Sequence, residues 1–341
     1  MYSFRNDYSE GAHPRILHAL IDCNLTQTPG YGYDVFCQQA AELIREKCCA
    51  PDADVHFVSG GTQANLLVIH AALRSFEAVI SAHTGHINVH EAGAIEGTSH
   101  KVCSIPSDSS KLTPEMIRSV YNEHVGEMMV APKIVYISNA TEMGAIYTKA
   151  ELTALRSCCD ELGLYLYLDG ARLGSALAAS NGDLTLADMA ALTDAFTIGG
   201  TKNGALLGEA IVLTNPQLKK QFRWHMKQRG AILAKGRLLG IQFLELLKDD
   251  LYFQLAAHAN AMADRLRQGM TELGYEIPIP SPSNLFFPVL PNTVIRQLEK
   301  DYAFETDHTI DADHTMIRLV TSWATPAEAV ENFLRDLAQL R

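Results

Sequence analysis

Three short stretches of the chain carry residue types that suit one chemistry. Ser59-Gly60-Gly61-Thr62-Gln63 follows an apolar run and precedes a helical pattern. The first turn of a helix leaves backbone N–H groups unpaired and adds partial positive charge, and glycines let a ligand come close. Such a turn, with the Thr62 hydroxyl beside it, suits a phosphate. It has neither the G-K-[ST] ending of a P-loop nor the G-x-G-x-x-G of a dinucleotide site. Leu168-Asp169-Gly170-Ala171-Arg172 sets a carboxylate at the end of the apolar run Leu164–Leu168. A carboxylate there is costly unless it meets a cation or a donor, and a protonated pyridine nitrogen answers that need. Gly199-Gly200-Thr201-Lys202-Asn203-Gly204 sets a lysine among small neighbours, with room around the amine for a planar group. Desolvation lowers the pKa of such an amine and fits it for Schiff-base chemistry. Each stretch taken singly also reads as something plainer: a Thr-capped turn, an Asp cap, an exposed loop lysine.

The elements around these stretches decide between the two readings. Strand candidates fall at Val55–Val58, Ala78–Ser81, Val102–Ile105, Ile134–Ser138, Leu164–Leu168, Ala195–Ile198 and Ala210–Leu213. Helical patterns at Thr62–Phe76, Pro114–Val125 and Lys149–Leu162 lie between them. Strands joined by helical crossovers predict an α/β fold with a mainly parallel seven-stranded sheet and helices on both faces. The short, glycine-rich Gly199–Glu209 link predicts an antiparallel pair at the sheet edge. Past residue 215 the pattern turns helical, at Pro216–Lys227, Ala234–Lys248 and Phe253–Leu273. After Pro278, Pro280 and Pro282 come Leu285–Val289, a helix near Thr293–Lys300, Met316–Thr321 and a closing helix at Pro326–Leu340. The expected division is a large unit over residues 1–250 and a small α+β unit over 251–341.

In open α/β sheets, ligands bind outside the carboxyl ends of the strands. Gly60–Thr62, Asp169 and Lys202 all fall at such ends. A phosphate cradle, a carboxylate and an amine then share one crevice, which is the set that pyridoxal 5'-phosphate requires.

Composition narrows the partners. The chain has 341 residues, 47% hydrophobic and 20% charged, with a formal net charge of -11. No Lys/Arg-rich run appears, so nucleic acid is excluded as an expected partner. No stretch reaches the roughly 18 apolar residues of a membrane helix, and the N-terminus has no apolar signal core. The seven cysteines include no C-x-x-C spacing, which fits reduced thiols in a cytoplasmic protein.

With these motifs in place, the chain resembles the low-specificity threonine aldolases, within the β-eliminating-lyase group of fold-type I pyridoxal-phosphate enzymes. The resemblance runs from Arg5-Asn6-Asp7 to Arg318-Leu319-Val320-Thr321. It implies that Gly60, Gly61, Thr62 and Thr201 bind the cofactor, that His86 stacks on its ring, and that Asp169 pairs with the ring nitrogen. It implies Lys202 as the Schiff-base lysine. It implies Arg172 and Arg318 as the clamp on the substrate carboxylate, Arg172 also adjoining the cofactor, with Asn6 beside them. It further implies a homodimer or homotetramer in which Tyr31 is lent to a neighbouring subunit's site. The implied reaction is cleavage of threonine or allo-threonine to glycine and acetaldehyde. Other pyridoxal-phosphate reactions, β-elimination or cleavage of a bulkier phenylserine-type substrate, stand as alternatives, and a non-catalytic cofactor-binding protein fits less well.

Two departures mark the chain. Thr141-Glu142-Met143 stands where well-known members carry a second histidine, so the base is open among His86, His90 and Glu142. Near Leu233, many members place a phosphate-binding arginine from the partner subunit, and here Arg229 or Lys235 is the available cation. His83, His86 and His90 have helical spacing but no H-E-x-x-H frame, so no metal is expected.

Overall fold

Alternation along the strands decides how the large sheet is covered, because successive side chains point to opposite faces. In the computed structural model, which describes residues 1–340, Val135, Ile137, Leu166 and Leu168 enter one apolar core. Ile134, Tyr136 and Tyr167, one step out of phase, enter another. Both faces of the sheet are therefore buried, as a mainly parallel sheet requires.

The seven strands are β1 (Asp54–Val58), β2 (Glu77–Ala82), β3 (Val102–Ile105), β4 (Ala131–Ser138), β5 (Tyr165–Asp169), β6 (Ala195–Gly199) and β7 (Glu209–Leu213). Their order across the sheet is β1-β7-β6-β5-β4-β2-β3. The pairs β2–β3, β2–β4, β4–β5 and β5–β6 are parallel, whereas β7 is antiparallel to both β6 and β1. The α/β class and all seven predicted strands are present, with their ends displaced slightly. The β6–β7 pair is antiparallel as expected, but it is not the edge, because β1 lies outside β7. Every residue of β7 is buried while β1 is mostly half-buried. Buried backbone groups need partners on both sides, so the more exposed strand takes the edge.

Local signals place the helices. Helix α2 (Lys149–Leu162) begins at a Thr148–Glu151 capping box and ends at Gly163 in the left-handed region, matching the predicted span. Helix α1 (Gly61–Ala72) stops short of the predicted Phe76 because Leu73 turns extended and leads the chain into β2. The predicted Pro216–Lys227 helix is split into Pro216–Lys219 and Phe222–Gln228 at Gln221, which has φ 59°.

Helix α3 (Leu251–Glu272) joins two cores. Leu251, Tyr252 and Leu255 pack with the large sheet. Met262, Ala263, Leu266 and Met270 enter a third core under a small antiparallel sheet. That sheet contains β8 (Leu285–Phe286), β9 (Val289–Pro291), β10 (Glu305–Thr309) and β11 (His314–Val320), with β11 pairing with each of the others. The extreme N-terminus is stitched onto it. Tyr2–Ser3 pairs in parallel with Tyr302–Ala303, and the Val320 N–H donates to the Phe4 carbonyl at 2.8 Å. This carries Arg5-Asn6-Asp7 to the carboxyl edge of the large sheet. Among the described residues, no helix is long and apolar enough to cross a membrane.

Candidate active site

Asp169 ends β5 in the middle of the sheet and is 5% exposed. A buried carboxylate needs donors, and three are supplied. Its Oδ2 accepts from the Tyr136 hydroxyl at 2.6 Å and from Asn65 Nδ2 at 2.9 Å. Its Oδ1 accepts from the Ala171 N–H at 2.9 Å. Burial, then the Asp169 charge, holds the Tyr136 phenol well above its ordinary pKa, so it stays a donor. The Tyr167 hydroxyl donates to Asn65 Oδ1 at 2.7 Å.

Lys202 follows β6, in a turn pinned where the Gly200 and Thr201 N–H groups both donate to the Gly208 carbonyl. Burial, then the nearby Arg172 charge, lowers its pKa, although Asp7, Asp169 and Glu209 act against this. An amine so placed is readily uncharged and nucleophilic. Because β7 is reversed, Glu209 stands at the same sheet edge. It is 3% exposed, and burial, then Asp169, raises its carboxyl pKa well above the ordinary value.

Asp7 is the second buried anion, at 1% exposure. Burial alone would raise its pKa, but Arg172, Lys202 and its hydrogen bonds outweigh that and lower it. Arg172 grips it with two donors, Nε to Oδ2 at 2.7 Å and Nη2 to Oδ1 at 3.0 Å. Part of the guanidinium fork that the sequence assigned to substrate is thus spent on orientation, and Nη1 remains.

Of these groups, Lys202 and Arg172 line a cavity of about 520 Å³. Asn6, His86, Glu142, Arg172, Lys202 and Arg318 all line it, as does His90. Arg318, on β11, reaches only the Arg5 carbonyl, at 3.4 Å through Nη2, and its buried Nε has no partner. Asn6 Oδ1 is used in a local turn by the Tyr8 N–H and the Ser9 hydroxyl. Glu142 Oε1 accepts from Ser138 Oγ at 2.8 Å and from the His86 N–H at 3.0 Å. Burial raises the Glu142 pKa, which moves it toward the neutral range where a proton acceptor works best. Burial, then His86, lowers that of His90.

Gly60, Gly61 and Thr62 line a separate hollow at the start of α1. No side chain caps this helix, and a Cβ built on either glycine would meet nothing within 4 Å, so the first N–H groups face open space. Arg229 lines the same hollow and also meets His70 Nε2 at 3.3 Å. Lys235 does not line it, so within one chain Arg229 is the cation at the cradle. The Thr201 hydroxyl accepts from the Gly208 N–H at 2.9 Å. Tyr31 stands apart from the Lys202 cavity. It is 48% exposed and lines another hollow with Tyr33, Arg223 and Trp224, its ring 4.9 Å from Lys227 Nζ. Among the described residues, no group of three or more His, Cys, Asp or Glu is arranged to hold a metal.

Sequence reasoning missed Asp7, Asn65, Glu91, Tyr136 and Glu209 as parts of this site. Asp7 follows Asn6 and Glu91 follows His90, but neither position alone showed the partner that its carboxylate would meet. Asn65 and Tyr136 carried no local signal, because their partners are far off in sequence.

The residues fit the cofactor that the sequence implied. The open helix N-terminus suits its phosphate, the multiply bonded Asp169 suits a ring N–H, and the desolvated Lys202 amine suits an aldehyde carbon. The unpartnered Arg318 Nε suits a substrate carboxylate.

Comparison with known proteins agrees. Residues 23–290 match the family model described as beta-eliminating lyase. The low-specificity L-threonine aldolase of Pseudomonas aeruginosa is 33% identical over 341 residues, covering 98% of this chain and 96% of that protein. A solved threonine aldolase structure from Leishmania major superposes with a TM-score of 0.99 at 50% identity, over 100% of this chain and 99% of that one. Thermus thermophilus aspartate aminotransferase superposes with a TM-score of 0.72 at 16% identity, over 100% and 92%, a likeness of fold alone.

Proposed function

The chain belongs to the beta-eliminating lyase family, and we propose from its site and its relatives that it cleaves L-threonine and L-allo-threonine to glycine and acetaldehyde with pyridoxal 5'-phosphate. It is a carbon–carbon lyase of the threonine aldolase kind. The observation that carries this is the single cavity that Lys202, Arg172 and Arg318 line together.

In this reading each residue takes the role that its position supports. Lys202 anchors the cofactor through its amine, Gly60, Gly61 and Thr62 take its phosphate end, and Thr201, next to Lys202, also contacts the cofactor. Asp169, held by Tyr136, Asn65 and the Ala171 N–H, keeps the ring nitrogen protonated. When bound, the cofactor supplies an electron sink for the pair released as the Cα–Cβ bond breaks. Arg318, the free edge of Arg172 and Asn6 orient the substrate carboxylate. His86, His90 and Glu142 line the same space, and one of them takes the proton of the β-hydroxyl. That proton loss lets the oxygen form the aldehyde carbonyl as the carbon–carbon bond opens.

The same reading makes the enzyme cytoplasmic, active in amino-acid metabolism and glycine formation, and a homodimer or homotetramer. The exposed Tyr31, Tyr33 and Trp224 cluster supports assembly, since it gathers aromatic surface away from its own Lys202 cavity. It also divides the chain into a cofactor-binding unit over 1–250 and a smaller unit over 251–341.

The test is an absorbance spectrum of the protein with the cofactor, before and after borohydride, on wild type and Lys202→Ala, with threonine cleavage on the same samples. A visible band fixed by borohydride only in wild type, with acetaldehyde released only by wild type, supports the reading. A band without acetaldehyde moves the substrate to a phenylserine-type amino acid or the reaction to β-elimination. No band overturns the cofactor roles.

A further inference from the structure

We propose that Glu91 is a positioning residue for this reaction. Its carboxylate holds His86 in the tautomer that carries hydrogen on Nδ1, and so makes Nε2 the proton acceptor of the site. The inference rests on the aldolase reading above and selects His86 from the three groups left there.

The geometry leaves little freedom. The Glu91 side chain is 0% exposed, and its Oε1 lies 2.8 Å from His86 Nδ1. The same oxygen accepts from Asn65 Nδ2 at 2.8 Å. Asn65 Nδ2 has two hydrogens, and its other acceptor is Asp169 Oδ2 at 2.9 Å. Its carbonyl oxygen receives the Tyr167 hydroxyl at 2.7 Å. Turning the amide round would set an oxygen against two carboxylates, so the orientation is fixed by its partners. An ionised carboxylate only accepts, and the Asn65 hydrogens are both committed. With Glu91 ionised, the hydrogen between Glu91 and His86 sits on Nδ1.

The rest of His86 agrees with this role. Its main-chain N–H is tied to Glu142 Oε1 at 3.0 Å, so the residue is held at two points. Among the described residues Nε2 has no hydrogen-bond partner, and the ring lines the cavity with Lys202 and Arg318. In the neutral ring with hydrogen on Nδ1, the free lone pair is on Nε2. When the substrate hydroxyl gives its proton to Nε2, the O–H bond breaks, an N–H bond forms, and the oxygen keeps the pair that becomes its carbonyl bond. The ring turns cationic next to a buried anion, which stabilises it without movement. The shared Asn65 amide also ties the acceptor to Asp169, so the two ends of the chemistry keep a fixed spacing.

Glu91→Gln separates this from a packing role, since it keeps the shape and removes the charge. With 15N-labelled histidine, the His86 signal is assigned by its loss in His86→Gln, and its nitrogen shifts report the tautomer with and without cofactor. We expect hydrogen on Nδ1 in wild type. In Glu91→Gln we expect kcat for threonine cleavage to fall on the order of 10²-fold, as for loss of an oriented base, with KM within about twofold and Tm near wild type. Glu91→Asp should recover part of kcat. Hydrogen on Nε2 in wild type overturns the proposal, as does an unchanged kcat in Glu91→Gln. If Glu91→Gln fails to fold, the wild-type tautomer alone decides. A wild-type protein that binds cofactor but leaves threonine intact overturns the aldolase reading instead, and the tautomer is still read.

Discussion

The floor of the site and its outer wall are built to opposite rules. At the floor, both Asp169 oxygens are already paired, and the Asn65 amide behind them uses its two hydrogens and its carbonyl oxygen. At the wall, Arg318 has a buried Nε with no partner and one long bond to the Arg5 carbonyl. Asp169 is held in place before any ligand arrives, whereas Arg318 is left to be paired by the ligand. Stability and binding are thus assigned to different residues within one cavity.

Variants test this contrast directly. The largest effect belongs to Lys202, which lines the cavity with Arg318. Lys202→Ala should lower threonine cleavage on the order of 10⁴-fold or more, read by acetaldehyde release, as for loss of a covalent catalytic group. Next is the floor. Asp169→Ala should reduce kcat by about 10²- to 10³-fold and also lower Tm. It leaves the Tyr136 and Asn65 donors buried and unpaired, at about 1–3 kcal/mol each. The wall comes third. Arg318→Ala should lower kcat/KM about 10- to 100-fold, mostly through KM, for loss of a charge-assisted bond of about 1.5–3 kcal/mol. Its Tm should stay level or rise. A fall in Tm equal to that of Asp169→Ala would erase the distinction between floor and wall.

Two smaller effects sharpen it. Burial raises the Glu142 pKa above its ordinary 4.5, so the folded protein holds that proton more tightly than the unfolded chain. The resulting stability is present at low pH and is lost as pH rises through the raised folded value. Glu142→Gln cannot titrate, so its stability relative to wild type should climb as pH increases from 4.5, followed by urea unfolding. An unchanged kcat in the same variant would remove Glu142 from the proton transfer. Smallest is Thr62→Ala. It should weaken cofactor affinity about three- to tenfold, for one hydrogen bond of about 0.5–1.5 kcal/mol, with the Tm of the cofactor-free protein unchanged.

The sequence made the strands legible because apolar, β-branched runs such as Ile134–Ile137 have no other stable home. It made the turns at Gly60, Asp169 and Lys202 legible because each follows such a run. It did not reveal that β1 lies outside β7, since strand order depends on pairing across more than 150 residues, as between Asp54 and Leu213. It did not reveal the Asn65 bridge, because an asparagine inside a helix looks like any polar helical residue until its three partners are known. Asp7 was hidden for a similar reason. Its partners Arg172 and Asn284 come from distant segments, and only the pairing of Tyr2–Ser3 with Tyr302–Ala303 brings them together.

The reversed strand β7 has one more consequence, for how this chain can change length. Lys202 and Glu209 sit on a tight connection whose two ends are locked in register, Gly199 against Glu209 on one side and Val58 against Glu209 on the other. Strand side chains alternate, so a one-residue insertion between Lys202 and Glu209 would rotate the whole of β7 by half a period. Ala210 and Val212 would exchange cores with Ile211 and Leu213, and the Glu209 carboxyl would swing off the Lys202 edge. Unlike an ordinary surface loop, this segment has a fixed count of residues. A deep insertion scan should find it intolerant at each position, while the Gly126–Met129 turn on the surface accepts extra residues.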